Sequence, residues 1–115
     1  MPGAAYDAGK QILIQIVSQS PHTFAYKLWF GRPTDSDWQE LEQGDINSVP
    51  RPHGPFPAGT KVDYDIVMGG NPRTDWRTEV RVTQAGQILA CSPGPDSGTT
   101  NDSGVDEHEA VIVLQ

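Results

Sequence analysis

Tyr26-Lys-Leu-Trp-Phe-Gly31, followed by Asp37-Trp38, recurs without a gap as Tyr64-Asp-Ile-Val-Met-Gly69, followed by Asp75-Trp76. The tyrosine, glycine, aspartate and tryptophan of the first copy each lie 38 residues before their counterparts in the second. In both copies apolar side chains recur at every second position up to a glycine and a polar loop, which is typical of a strand that enters a hairpin. The repeat therefore predicts two similar β-hairpins, in which Trp38 and Trp76 occupy equivalent positions.

The rest of the chain continues this strand pattern. The 12 glycines and 10 prolines of the 115-residue chain fall between the apolar runs rather than inside them, which indicates turns between strands. Strand patterns occupy residues 11–17, 24–30, 37–43, 62–68, 76–83, 87–91 and 110–114. We therefore expect one domain, residues 1–115, with an all-β fold. The predicted architecture is an antiparallel two-sheet β-sandwich of about seven strands, immunoglobulin-like or jelly-roll in type, and a small β-barrel is the alternative.

Charge and composition exclude some function classes. The net charge is −7, which argues against nucleic acid as a partner because a phosphate-binding surface needs clustered lysine and arginine. The longest apolar run, Ile12 to Ile16, is too short to span a membrane. The first residues lack the basic and apolar segments of a secretory signal. This predicts a cytoplasmic protein, with secretion by a signal-independent route as the alternative. The single Cys91 has no partner for an intramolecular disulfide and is expected to be packed and inert.

Trp29 is a candidate for ligand contact. Alternation places Trp29 and Lys27 on the face of their strand opposite to Tyr26 and Leu28. Trp29 is exposed if that face is in contact with water, and an exposed tryptophan indicates a surface for sugar stacking or protein contact. The alternative is that the proline-rich segment 44–59 covers it.

Trp38 is a second candidate, and its position presents a conflict. The repeat makes it equivalent to Trp76, which shares a strand face with Val80 and is expected in the core. Strict alternation would then turn Glu40 and Glu42 inward as well. A β-bulge between Trp38 and Glu42 would resolve the conflict.

A polar segment over residues 92–109 is predicted to be a long loop. Residues 82–115 contain no lysine or arginine, so the carboxylates of this loop repel one another unless they are solvated or meet a cation. Carboxylate and amide oxygens are the ligands that calcium prefers, although the spacing differs from that of an EF-hand. The sequence predicts calcium as a candidate cofactor, with a solvated loop as the alternative. The candidate ligands are Asp96, Asn101, Asp102, Asp106 and Glu109.

The end of the chain has one short resemblance. Glu109-Ala-Val-Ile-Val113, after acidic residues, resembles the end of some calcium-dependent bacterial lectins, in which an acidic loop precedes an apolar last strand. It covers a short segment and lacks the denser run of Asp and Asn in those lectins, so it does not identify a family. The resemblance implies carbohydrate binding that depends on calcium.

Three functions follow as hypotheses. The preferred one is a non-catalytic binding module with a carbohydrate or protein partner, because strands supply a rigid platform for ligand contacts. The second is a structural protein that forms homo-oligomers, since the apolar strand Ala110 to Leu114 needs cover on both faces. The third is a small hydrolase that uses His53 in the irregular segment 44–59, although no phosphate loop, nucleophile elbow or metal-ligand spacing accompanies it.

Overall fold

The computed structural model describes residues 3–18, 25–33, 38–45 and 49–115. Within these ranges the chain forms strands and turns and no helix. The eight strands are β1 (Leu13–Ser18), β2 (Ala25–Pro33), β3 (Trp38–Asp45), β4 (Lys61–Gly69), β5 (Asp75–Gln84), β6 (Gln87–Ile88), β7 (Gly94–Thr99) and β8 (Val105–Val113). This confirms the all-β prediction.

The strands form two antiparallel sheets of four strands each. In the first sheet β5 pairs with β1 along one edge and with β7 and the two-residue β6 along the other. The order in the second sheet is β3-β2-β4-β8. The two sheets pack as an open β-sandwich, so the alternative of a closed barrel is excluded.

Alternation in β4 and β5 builds the core between the sheets. Every second residue of β4 is fully buried, and so is every second residue of β5 from Trp76 onward. Strands whose successive side chains point to opposite faces produce this pattern when one face is covered. The inward residues of the two strands pack with apolar residues of β1 and β8. The principal buried residues are Ile12, Ile14, Val62, Tyr64, Ile66, Met68, Trp76, Val80, Val82 and Ile112.

The repeat predicts one hairpin correctly and the other wrongly. β2 and β3 are adjacent antiparallel strands, as expected for the first copy. β4 and β5, which contain the second copy, lie in different sheets, so the segment between Gly69 and Asp75 crosses from one sheet to the other. The two tyrosine strands instead pair with each other, with Tyr26 opposite Met68. The two similar strands, β2 and β4, are therefore neighbours in one sheet, and they do not begin two equivalent hairpins.

A β-bulge in β3 resolves the conflict at Trp38. Phe30 pairs with Glu42 and the next residue, Gly31, pairs with Glu40, so Leu41 is the extra residue. After the bulge Glu42 is buried and Leu41 packs against the core, while Trp38 is 49% exposed. The bulge that the sequence raised as one possible solution is present, and the predicted equivalence of Trp38 with the buried Trp76 is wrong.

The predicted loop over residues 92–109 is largely strand. β7 joins the first sheet and β8 joins the second, and a tight turn over Asn101–Gly104 connects them. Polar composition misled the prediction, because these strands alternate between exposed and partly buried positions and have few apolar side chains. Strand pairing here depends on the neighbouring β4 and β5, which supply a complete set of backbone partners.

Candidate binding groove on the outer face of the second sheet

The outer face of the second sheet, which points away from the core, carries a row of carboxylates. In β4 the residues between the buried ones, including Asp63 and Asp65, point outward. Asp65 lies directly opposite Glu109 of β8, and Val67 lies opposite Glu107. Residues opposite each other in an antiparallel pair point to the same face, so these four acidic side chains share one surface.

Trp38 forms a wall beside this row. A Cβ atom built on Gly31 of β2 would lie 1.8 Å from Cζ2 of Trp38, so the indole rests directly against the backbone at this glycine. Gly31 lies opposite Asp63 in the sheet. A side chain at Gly31 would push the indole away, and its absence is what lets Trp38 lie flat across β2 next to β4.

Together these residues enclose a groove of about 430 Å³, referred to below as the outer groove. This volume is within the range of small-molecule sites. The described lining combines one exposed aromatic ring with four carboxylates and contains no lysine or arginine. It consists of Trp38, Asp63, Tyr64, Asp65, Val67, Glu107 and Glu109.

The carboxylates of the outer groove repel one another. Burial, the hydrogen bond and charge of Glu107 and the charge of Glu109 together raise the pKa of the Asp65 carboxyl to about 6, and burial is the largest of these causes. Its Oδ1 atom is closed off from water and has no hydrogen-bond partner among the described residues. Like charges in opposite positions on neighbouring strands destabilise a sheet, and strongly perturbed carboxyls cluster at functional sites.

The candidate ligand residues of the sequence are partly brought together here. Trp38, a candidate contact residue of the sequence, lines the outer groove and faces outward beyond the bulge. The backbone of Trp29 lies in β2 opposite Asp65, and that of Lys27 lies opposite Val67. The side chains of Trp29 and Lys27 lie outside the described part of the structure, so the predicted exposure of Trp29 stays a prediction.

The residues predicted as calcium ligands point in different directions. Asp96 and Asp106 point between the sheets, whereas Glu109 is on the outer face of β8. Asn101 closes the turn by accepting hydrogen bonds from the backbone of Ser103 and Val105. The exposed Asp102 lies 3.3 Å from Arg73. In the described ranges no group of three or more His, Cys, Asp or Glu is placed to hold a metal ion, and the calcium site stays a prediction.

Asp96 and Asp106 belong instead to what we call the inter-sheet polar cluster, formed with Tyr64, Trp76 and His108. The Tyr64 hydroxyl donates to Asp96 Oδ2 at 2.5 Å, and His108 Nε2 lies 3.1 Å from Asp96 Oδ1. The indole Nε1 of Trp76 donates to Asp106 Oδ2 at 2.7 Å. Burial, together with Asp96, raises the pKa of Tyr64. Each acid in this cluster thus has a donor.

His53, the residue of the hydrolase hypothesis, also has a partner. Its Nε2 lies 2.7 Å from Oε1 of Glu42, and the two side chains are 10% and 7% exposed. The backbone of His53 exchanges two hydrogen bonds with Ile12. Neither His53 nor Glu42 lines the outer groove. The pair joins the segment after β3 to β3 itself, and the backbone bonds join the same segment to Ile12, next to β1.

Three lining carboxylates were missed in the sequence, namely Asp63, Asp65 and Glu107. The apolar side of the alternation over residues 62–68 predicts a core strand. The other side of the same pattern, Asp63 and Asp65, gives two acids on one strand face, and Glu107 and Glu109 give two more. The sequence therefore contained both acidic pairs, but only the pairing of β4 with β8 brings them together.

No protein family, curated protein or solved structure matches this chain. Among the described residues the structure has no helix that is long and apolar enough to cross a membrane. The function is therefore inferred from the geometry of the outer groove.

Proposed function

We propose that this protein is a non-catalytic binding module that holds a carbohydrate in the outer groove. The observation that carries the proposal is the half-exposed indole of Trp38, which lies against Gly31 at the edge of a row of carboxylates. Large exposed aromatic rings are uncommon on a monomer surface and indicate a contact surface.

The chemistry of a sugar matches both the indole and the carboxylates of the outer groove. The ring of a sugar has an apolar face, which the flat indole can cover, and hydroxyl groups at its rim. Carboxylates accept hydrogen bonds from such hydroxyls, and each carboxylate offers two oxygens. Asp63, Asp65 and Glu109 stand on paired strands, which hold acceptors at fixed distances better than loops do.

Removal of the indole tests the proposal. Glycan-array screening followed by isothermal titration calorimetry should find sugars that bind the wild type, and Trp38→Ala should weaken that binding about 30-fold, as expected for loss of a central aromatic contact. Ile88→Ala is the matched control, because Ile88 has a similar exposure of 47% but lies on the first sheet.

Gly31→Ala provides a second test that keeps the indole. A methyl group at this position collides with Trp38 and must displace its ring. Sugar binding should then fall although every lining side chain is still present. If no glycan binds the wild type, or if both variants bind as the wild type does, the carbohydrate proposal is overturned.

The strand β8 favours self-association as a second candidate function. It is the last strand of the second sheet, and it exposes Val105 and Val111. An edge strand with apolar residues is a template for pairing with a second copy. Sedimentation velocity should show a concentration-dependent dimer that Val111→Lys abolishes. A monomer at all concentrations would overturn this candidate.

A further inference from the structure

The described residues that line the outer groove carry charges of one sign. From β4, Asp63 and Asp65 line it, and from β8, Glu107 and Glu109 line it. Glu40 of β3 lies opposite Gly31 and is exposed. The basic residues nearest in the register are Lys61, which precedes Asp63 on the same face of β4, and Lys27 of β2, whose side chain is outside the described residues.

The surroundings of Asp65 indicate which chemical group a ligand of the outer groove should supply. It is partly buried, it faces Glu109 directly, and its Oδ1 atom has no water contact and no hydrogen-bond donor in the part of the chain that the structure describes. A buried acceptor without a donor and a like-charge neighbour each cost stability. A neutral hydroxyl supplies a donor but leaves the charge repulsion. A positively charged N–H group supplies a donor and also removes the repulsion.

We propose that the outer groove is selective for sugars that carry a protonated amino group, with the ring on Trp38 and the ammonium group among Asp65, Glu107 and Glu109. This inference rests on the proposed function and adds the charge of the ligand. A groove of about 430 Å³ fits a small molecule, whereas a stable protein partner would need a far larger contact area.

The same geometry makes binding depend on pH. A proton on Asp65 satisfies its carboxyl in the absence of ligand, and the pKa of about 6 means that this proton is present at mildly acidic pH. Proton and ammonium therefore compete for one carboxylate. Affinity for a sugar whose amine stays protonated over this range, such as an aminoalkyl glycoside, should fall as the pH is lowered from 7 to 5, whereas affinity for a neutral sugar should change little.

A matched pair of ligands tests the inference. Oligomers of glucosamine and N-acetylglucosamine of equal length have the same rings, but only the first is cationic. Titration calorimetry at pH 7 and low salt should show binding at least about tenfold tighter for the glucosamine oligomer. Asp65→Asn should remove most of this preference, and Asp102→Asn, which removes one negative charge from an exposed turn, should leave it intact.

The outcomes separate the two proposals. If both oligomers bind equally well, the charge selectivity is overturned and the carbohydrate function stands. If other sugars bind but neither oligomer does, the selectivity is again overturned. If no sugar binds, the proposed function falls and the inference falls with it. If an oligolysine of equal charge binds as tightly and Trp38→Ala leaves its binding unchanged, the groove is a general cation surface and the amino-sugar inference is overturned.

Discussion

The protein keeps carboxylates in two contrasting settings on the two faces of the second sheet. In the inter-sheet polar cluster Asp96 and Asp106 have Tyr64, His108 and Trp76 as partners. Among the described lining residues of the outer groove the charged groups are all carboxylates, and one oxygen of Asp65 has no hydrogen-bond partner there. The same residue type is thus stabilising on one face and costly on the other.

This difference distinguishes carboxylates that stabilise the fold from carboxylates that are available to a ligand. A buried acid whose hydrogen bonds are complete holds the fold together and has nothing left for a ligand. An acid among like charges lowers the stability of the free protein, and a ligand can recover that energy. Substitutions in either setting test this difference, and the variants are taken in order of decreasing expected effect on stability.

Asp96→Ala should have the largest effect. It leaves the Tyr64 hydroxyl without its acceptor and removes the partner of His108, in a place that is closed to most water. Each lost buried bond costs about 1–1.5 kcal/mol, so the free energy of unfolding should fall by about 2–3 kcal/mol in urea denaturation.

Asp63→Ala in the outer groove is the comparison variant for that experiment. Removal of one of several repelling charges should leave the stability unchanged or raise it slightly. An equal loss in Asp63→Ala and Asp96→Ala would show that the two settings do not differ as the structure indicates.

Asp65→Asn should change the pH dependence of stability. The raised pKa means that the folded protein holds a proton between pH 4 and 6 that the unfolded chain has released, so the contribution of Asp65 to stability falls as the pH rises through this window. At pH 7 the amide should therefore be more stable than the wild type by about 1 kcal/mol, once solvent screening is allowed for. Below pH 4 the difference should vanish.

Thermal unfolding at pH 4, 5, 6 and 7 measures this prediction, with Asp63→Asn as the matched amide variant on the same strand. If the stability difference between Asp65→Asn and the wild type is constant from pH 4 to 7, Asp65 does not titrate in this window. In that case the proton competition expected in the groove is also absent.

Calcium and the exposed pair of Asp102 with Arg73 should have the smallest effects. Exposed ion pairs contribute about 0–0.5 kcal/mol, so Asp102→Ala should scarcely change the melting temperature. Millimolar calcium should also leave it unchanged, because Asp106 and Glu109 are on opposite faces of β8. A rise of roughly 10 °C with calcium, lost on chelation, would instead establish the site that the sequence predicts.

The core was predictable because alternation is a local property. Residues 62–68 and 76–82 show it without interruption, and the structure buries the faces that the pattern indicates. For β3 the sequence indicated only that a regular strand conflicts with the repeat, whereas the bulge that turns both Leu41 and Glu42 toward the core is a finding of the structure.

The arrangement of the strands was not predictable from the same patterns. Whether β4 continues into a hairpin or crosses to the other sheet depends on which strands cover its edges, and β2 and β8 do so. The outer groove depends on this choice, because its carboxylates come from β4 and β8 and its indole comes from β3 across Gly31. Of the lining residues, the sequence singled out Trp38 as a contact residue and Glu109 as a calcium ligand, and it did not bring the two together.

Strand β8 serves both settings through its alternation, with Asp106 and His108 on one side and Glu107 and Glu109 on the other. An insertion or deletion of one residue within it would exchange the two sets. Glu107 or Glu109 would then point into the core, and Asp106 and His108 would lose their contacts with Trp76 and Asp96. Homologous chains should therefore differ in length at the turn Asn101–Gly104 and not inside β8. Changes of residue type, by contrast, can accumulate on its outward side without loss of the fold.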